Sequence, residues 1–144
     1  MKSAGLLVAA ALSLTARASA ADAVIELTLD GRPVDRHSGA AVLHHGLVFA
    51  DAVDLTKCFN GLITLLRSGE ATITIGANTA TFRPGSTRAI VNGSVMVLPD
   101  APFRRNGDLF VPLAAFITGV AGAKVRFSRV HHRADIRVNA RRRR

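Results

Sequence analysis

Gly107 to Phe127 reads GDLFVPLAAFITGVAGAKVRF. A brief apolar run, Leu109–Val111, leads into Pro112. Proline suits the first turn of a helix, because its φ is fixed there and its missing N–H is not needed. Leu113, Phe116, Ile117 and Val120 then fall at i, i+3, i+4 and i+7 and form one apolar stripe. The pattern predicts a helix over about Pro112–Ala121, weakened by Gly119 and stopped by Gly122. Strand character returns at Lys124–Ser128 and again at Ala134–Val138.

A weaker copy of this unit lies about sixty residues earlier. Leu29-Asp30-Gly31 falls on Val91-Asn92-Gly93, Gly46–Phe49 on Gly107–Phe110, Gly61 on Gly122, and Ile73 and Ile75 near Ile136 and Val138. The repeats would run roughly Val24–Gly76 and Thr79–Asn139. In each, an alternating strand enters a turn at Asp30-Gly31 or Asn92-Gly93, where both residues tolerate positive φ. The first-half helix is expected at about Ala52–Asn60, with Asp51 as N-cap, Gly61 as stop, and Leu55 and Phe59 on one face. Strands follow at Leu62–Arg67 and Ala71–Ile75, and Thr79–Phe82 is one more, ended by Arg83-Pro84-Gly85. Helices under three turns are marginal alone and must pack on a sheet. The fold class is therefore α+β: a mainly antiparallel twisted sheet packed on two short helices, in two degenerate half-repeats.

Within MKSAGLLVAAALSLTARASA, Lys2 precedes a ten-residue apolar run, Gly5–Leu14, and a small-residue cleavage site, Ala18-Ser19-Ala20. This reads as a secretory signal peptide, its apolar run too short to span a bilayer. The expected organisation is residues 1–20 signal peptide, 21–140 domain and 141–144 basic tail, exported to the periplasm or beyond. Loss of Lys2 and Arg17 takes the formal charge from +9 to +7, and Arg141–Arg144 carry four of those charges, leaving +3 on the body. Cys58 is the one cysteine, so no internal disulfide forms, and a small buried hydrophobe or a reactive thiol are its two readings.

The second half resembles the copper amine oxidase N-terminal-like domain, also called the stalk domain. The matching residues are Ile90-Val91-Asn92-Gly93, Ala101-Pro102-Phe103, Asn106-Gly107-Asp108-Leu109-Phe110-Val111-Pro112-Leu113 and Gly122-Ala123-Lys124-Val125. The likeness extends over about Val24 to Asn139. The first half departs from it, with Asp51 where the proline would stand and Phe59-Asn60-Gly61-Leu62 in place of Gly-Ala-Lys-Val. The resemblance implies a twisted antiparallel sheet around a helix, on exported and envelope proteins, often as an accessory module. It implies no copper or quinone, which those oxidases hold in another domain. The sequence contains no tyrosine, the residue from which that quinone is made, so oxidase chemistry is excluded on composition.

No cofactor is expected, and no enzyme. Ser86, Ser94 and Ser128 lack a glycine-flanked elbow, and no HExxH, phosphate loop or CxxC occurs. The expected function is a non-catalytic exported module that binds an envelope glycan, an anionic surface or an envelope protein, peripheral at most to the membrane. Arg104, Arg105, Arg141, Arg142, Arg143 and Arg144 are the candidate anion contacts. Nucleic acid is excluded as a partner by export and by the absence of a stacking surface. The alternative is a periplasmic Cu(II), Ni(II) or Zn(II) protein using His44, His45, His131 and His132. On a flat strand each adjacent pair would point to opposite faces, in a loop it could chelate, and one ring from each pair could also share a metal. His37 stands apart.

Overall fold

The computed structural model describes residues 22–36 and 39–138. The expected signal peptide, His37 and the Arg141–Arg144 tail lie outside the described residues. The first half comprises β1 (Ala23–Leu29), β2 (Arg32–Pro33), β3 (Ala41–His44), β4 (Leu47–Asp51), α1 (Ala52–Cys58), β5 (Leu62–Leu65) and β6 (Ala71–Ile75). After β7 (Asn78–Phe82) come β8 (Arg88–Val91), β9 (Ser94–Val97), β10 (Phe103–Arg105), β11 (Asp108–Pro112), α2 (Leu113–Gly119), β12 (Lys124–Ser128) and β13 (Arg133–Arg137). The strands β3 and β10 were not legible from the sequence. Each pairs with the next strand through a two-residue turn, His45-Gly46 or Asn106-Gly107, with positive φ at both positions. Asp30-Gly31 and Asn92-Gly93 turn the same way, as their composition predicts.

The helix ends follow local chemistry. Asp51 Oδ1 accepts from the Val53 N–H at 2.8 Å and caps α1, as expected. At the other end Asn60 takes the left-handed conformation (φ 56°) that the sequence reading gave to Gly61. The Asn60 and Gly61 N–H groups donate to the Lys57 and Thr56 carbonyls and close the last turn. Gly61 is needed for space instead: a Cβ there would lie 2.6 Å from the Thr74 carbonyl oxygen of β6. Pro112 is the N-cap of α2 rather than its first helical residue, because it also completes β11 opposite Phe49. Leu113, Phe116, Ile117 and Val120 are all buried, so the stripe read from the sequence faces the core.

The strands form two sheets where the sequence reading expected one. The larger has the order β10-β11-β4-β3-β1-β13-β12, with β2 attached to β1; the smaller has the order β5-β6-β7-β8-β9. Every pairing is antiparallel except β1–β13, whose parallel register sets Leu27 beside Ala134. One core joins both sheets and both helices, including Ile25, Leu55, Ile73, Phe82, Phe116 and Ile136. The Phe82 and Phe116 rings stack at 6.0 Å across it. Two sheets rather than one follow from the alternation in β6 and β7, where Ala71, Ile73, Ala80 and Phe82 face inward and Thr72 and Thr79 face out. Such a one-sided surface packs against the helices and the larger sheet instead of extending it. The element order of the two halves is alike, and β1–β2 and β8–β9 are matching hairpins, but the other pairings differ: β1 also joins β3 and β13, whereas β8 also joins β7.

The larger sheet also buries part of its second face. Val42, Phe49 and Phe110 form a small separate core there, flanked by Leu47 and Phe103. The sheet curls far enough for Arg105 of β10 to reach Asp22 beside β1, four strand-to-strand steps away in the order.

Gly61→Ala should destabilise the protein by about 1–3 kcal/mol, because backbone rather than a flexible side chain opposes the added methyl. Urea unfolding measures this; an unchanged midpoint would show that α1 and β6 separate freely.

Candidate functional site

The second face of the larger sheet collects the polar side chains that the core excludes. At its curled end, the β3–β4 hairpin presents His44 at the end of a strand and His45 in the turn. His44 Nδ1 lies 2.9 Å from Asp22 Oδ2, and the same oxygen accepts from Arg105 Nη2 at 2.7 Å. A carboxylate only accepts, so the Nδ1 position of His44 carries the proton and Nε2 is the free ring nitrogen. Phe103 lies against the His44 ring at 4.4 Å between centroids, and Phe49 meets it edge-on at 5.4 Å. The Arg105 guanidinium sits 5.2 Å from the Phe103 centroid and 5.6 Å from that of Phe110. Asp22, Arg105, Phe103 and His44 therefore hold one another in place.

His45 reaches the other way, with Nδ1 2.9 Å from Asp100 Oδ2. Asp100 Oδ1 accepts from the Ala101 N–H at 2.8 Å, which fixes the carboxylate. The two imidazoles lie face to face at 3.9 Å with a 30° tilt. A flat strand would have sent them to opposite faces; the left-handed turn at His45 (φ 52°) swings its ring back over His44. Ligating atoms of His44, His45 and Asp100 all lie within 4.8 Å of one another. Among the described residues, neither histidine side chain is hydrogen-bonded to a serine, threonine or cysteine. The arrangement can hold a proton or a cation.

The two aspartates are held in their charged form. Burial alone would raise the Asp22 carboxyl, but Arg105 and His44 outweigh it and keep it below the usual range. His45 and then the Ala101 N–H do the same for Asp100.

The other sequence candidates stand elsewhere. His131 and His132 are exposed in the β12–β13 turn, where the Glu26 N–H donates to the His132 carbonyl, and neither belongs to the His44–His45–Asp100 group. Arg104 is exposed, and its side chain passes along Gly69. Arg105 has its charge met by Asp22 and its plane covered by phenylalanines. From the sequence Asp100 reads as a turn residue, or as an acid–base partner of Asp30, and its contact with His45 was not foreseen; Asp22 carries no motif and was missed, and only the strand register shows that, one residue before Ala23, it falls opposite His44.

The far end of the same face is basic. Register places Lys124 opposite Arg137 and Arg126 opposite Asp135, with Arg133 beside Glu26. Asp135 accepts from Thr28 Oγ1, the main cause of its lowered carboxyl, and Arg133 Nε lies 3.2 Å from it. Lys124 and Arg137 face each other across the ladder as like charges, which costs stability unless something else is gained. Cys58 lies apart, beside Lys57 and Asp54 near the end of α1. Burial, and then Asp54, pushes its thiol up to about 11.

A family model described as the copper amine oxidase N-terminal domain matches residues 19–133, most of the chain, and the protein belongs to that family. That domain is a non-catalytic, stalk-like module. No curated protein and no solved structure matches the chain. The residues present do not fit the copper–quinone centre that the family's name evokes, since there is no tyrosine to make the quinone.

Two outcomes follow from these environments. A carboxylate whose folded-state pKa is depressed adds stability above its unfolded value and loses it as the pH falls through the folded one. The urea midpoint should therefore drop on acidification below about pH 4, and drop less in Asp100→Asn; equal acid sensitivity would show that the His45 contact adds nothing. Cys58 should react with an alkylating reagent at pH 8 far more slowly than a free thiol, a rate read by mass spectrometry, because a thiol at about 11 is almost entirely protonated.

Proposed function

We propose that the protein is a non-catalytic exported module that binds an anionic component of the cell envelope through the basic face of β12 and β13. One observation carries this reading: Lys124, Arg126, Arg133 and Arg137 share one face of the sheet, against Asp135 and Glu26. Edge-strand charges also guard against sheet-to-sheet pairing, which accounts for Lys124 and Arg126 on β12 but not for Arg137, one strand in. A like-charge pair retained at a structural cost fits a surface that an anion neutralises. In sequence only three residues separate Arg137 from the Arg141–Arg144 run, so the tail extends the same basic stretch. Arg105 is an internal anchor in this reading, and Arg104 a peripheral contact.

Export rests on the signal-peptide pattern of residues 1–20. The recurring order of hairpin, hairpin, helix and hairpin is read as an old duplication in which β7 was added between the halves and changed the pairing of β8. A second reading has its own observation. Val97 is 74% exposed and Leu62 75% exposed, on the two edge strands of the smaller sheet, with Val95 and Ile90 beside Val97. Exposed apolar edges of this kind mark a protein partner that adds a strand or covers the face.

Charge reversal separates the two. Lys124→Glu with Arg126→Glu and Arg137→Glu should abolish low-salt retention of the protein on envelope fractions, and removal of Arg141–Arg144 should weaken it. Salt should release the unaltered protein, because exposed charges are screened over about 8–10 Å at physiological strength. Retention that survives the triple reversal but is lost in Val97→Lys would replace the anionic partner with a protein one.

A further inference from the structure

The geometry points to a divalent-cation site of the zinc type, formed by His44 Nε2, a His45 ring nitrogen and the Asp100 carboxylate. Two imidazoles and one carboxylate are a donor set suited to borderline divalent ions, and three protein ligands leave a tetrahedral ion one open position. One separation already fits. Bonds of about 2.0–2.1 Å at 90–110° place neighbouring donor atoms about 2.9–3.4 Å apart. His45 Nδ1 and Asp100 Oδ2 are already 2.9 Å apart, so an ion can replace the proton they share. A His44 ring nitrogen lies within 4.8 Å of both, and the remaining approach falls to His45, which is 69% exposed at a hairpin tip, and not to His44, which is packed against Phe103.

A further feature belongs to a metal site rather than to a turn. Metal-bound histidines commonly donate their second nitrogen to a carboxylate, which fixes the tautomer and aims the ligand. Asp22 does this for His44, and Arg105 holds Asp22. Positive φ alone does not mark His45, since histidine tolerates it and His132 takes the same conformation in the β12–β13 turn without joining a ligand group. At position 45 that conformation carries a ring that reaches Asp100 and lies against His44. The site is separate from the basic face and does not depend on the envelope reading.

Isothermal titration of the purified, untagged protein with Zn(II) tests it; zinc is redox-inert and leaves Cys58 unoxidised. One ion per chain should bind with a micromolar or lower Kd. His45→Asn, which suits the left-handed turn, and Asp100→Asn, which keeps the bond to Ala101, should each weaken binding at least thirtyfold, with thermal melts confirming the fold. Asp22→Asn should weaken it about tenfold at unchanged stoichiometry, as loss of an orienting carboxylate does. The pair His131→Ala and His132→Ala should leave it unchanged. Absence of stoichiometric binding, full binding in both the His45→Asn and Asp100→Asn proteins, or loss in the His131→Ala, His132→Ala protein would overturn the assignment.

Discussion

Two helices of seven residues each cannot hold themselves together in water, and the rest of this structure is arranged around burying them. Phe116 and Leu55 are fully enclosed, with the larger sheet on one side and Ile73 and Phe82 of the smaller sheet on the other. The approach is close at two glycines. Gly61 lies under the Thr74 carbonyl, which is backbone and cannot give way, and Gly119 lies under the Met96 sulfur, a flexible side chain that can. The helices therefore fix the distance between the sheets, and the sheets supply the burial that the helices lack.

Enclosing the helices on one face leaves the other face of the larger sheet to polar chemistry, and its curl sorts that chemistry along its length. Near β10 and β4 the curl shelters Phe49, Phe103 and Phe110, and a sheltered apolar floor lets Arg105, Asp22 and His44 make short, fixed contacts. Near β12 and β13 Lys124, Arg126 and Arg137 stand in solvent, while Arg133 and Asp135 are half-buried. The histidine–aspartate group and the basic face are thus two ends of one surface, differing in how far the sheet bends over them. The copper amine oxidase N-terminal domain, the family to which the chain belongs, is a non-catalytic, stalk-like module.

Local chemistry was readable in the chain itself. The i, i+3, i+4, i+7 stripe of α2, the capping aspartate of α1, and the Asp-Gly and Asn-Gly turns are set by neighbours within a few residues, and the structure keeps them all. The shifts at the helix ends are small and have local causes. Asn60 took the left-handed position because Gly61 was needed as empty space, and Pro112 served the strand before it could serve the helix.

What the chain alone determined was therefore the type of both helices and most strands, the Asp30-Gly31 and Asn92-Gly93 turns, and the absence of the tyrosine that oxidase chemistry requires. What only the tertiary structure decided was partnership: the division into two sheets, the parallel β1–β13 pair, and the meeting of Asp22, His44, His45, Asp100 and Arg105. Residues 22 and 105 stand 83 positions apart, and no periodicity or spacing encodes a contact at that separation. It arises because side chains on one face become neighbours only after strands pair in register and the sheet bends, and both depend on how the buried face is filled.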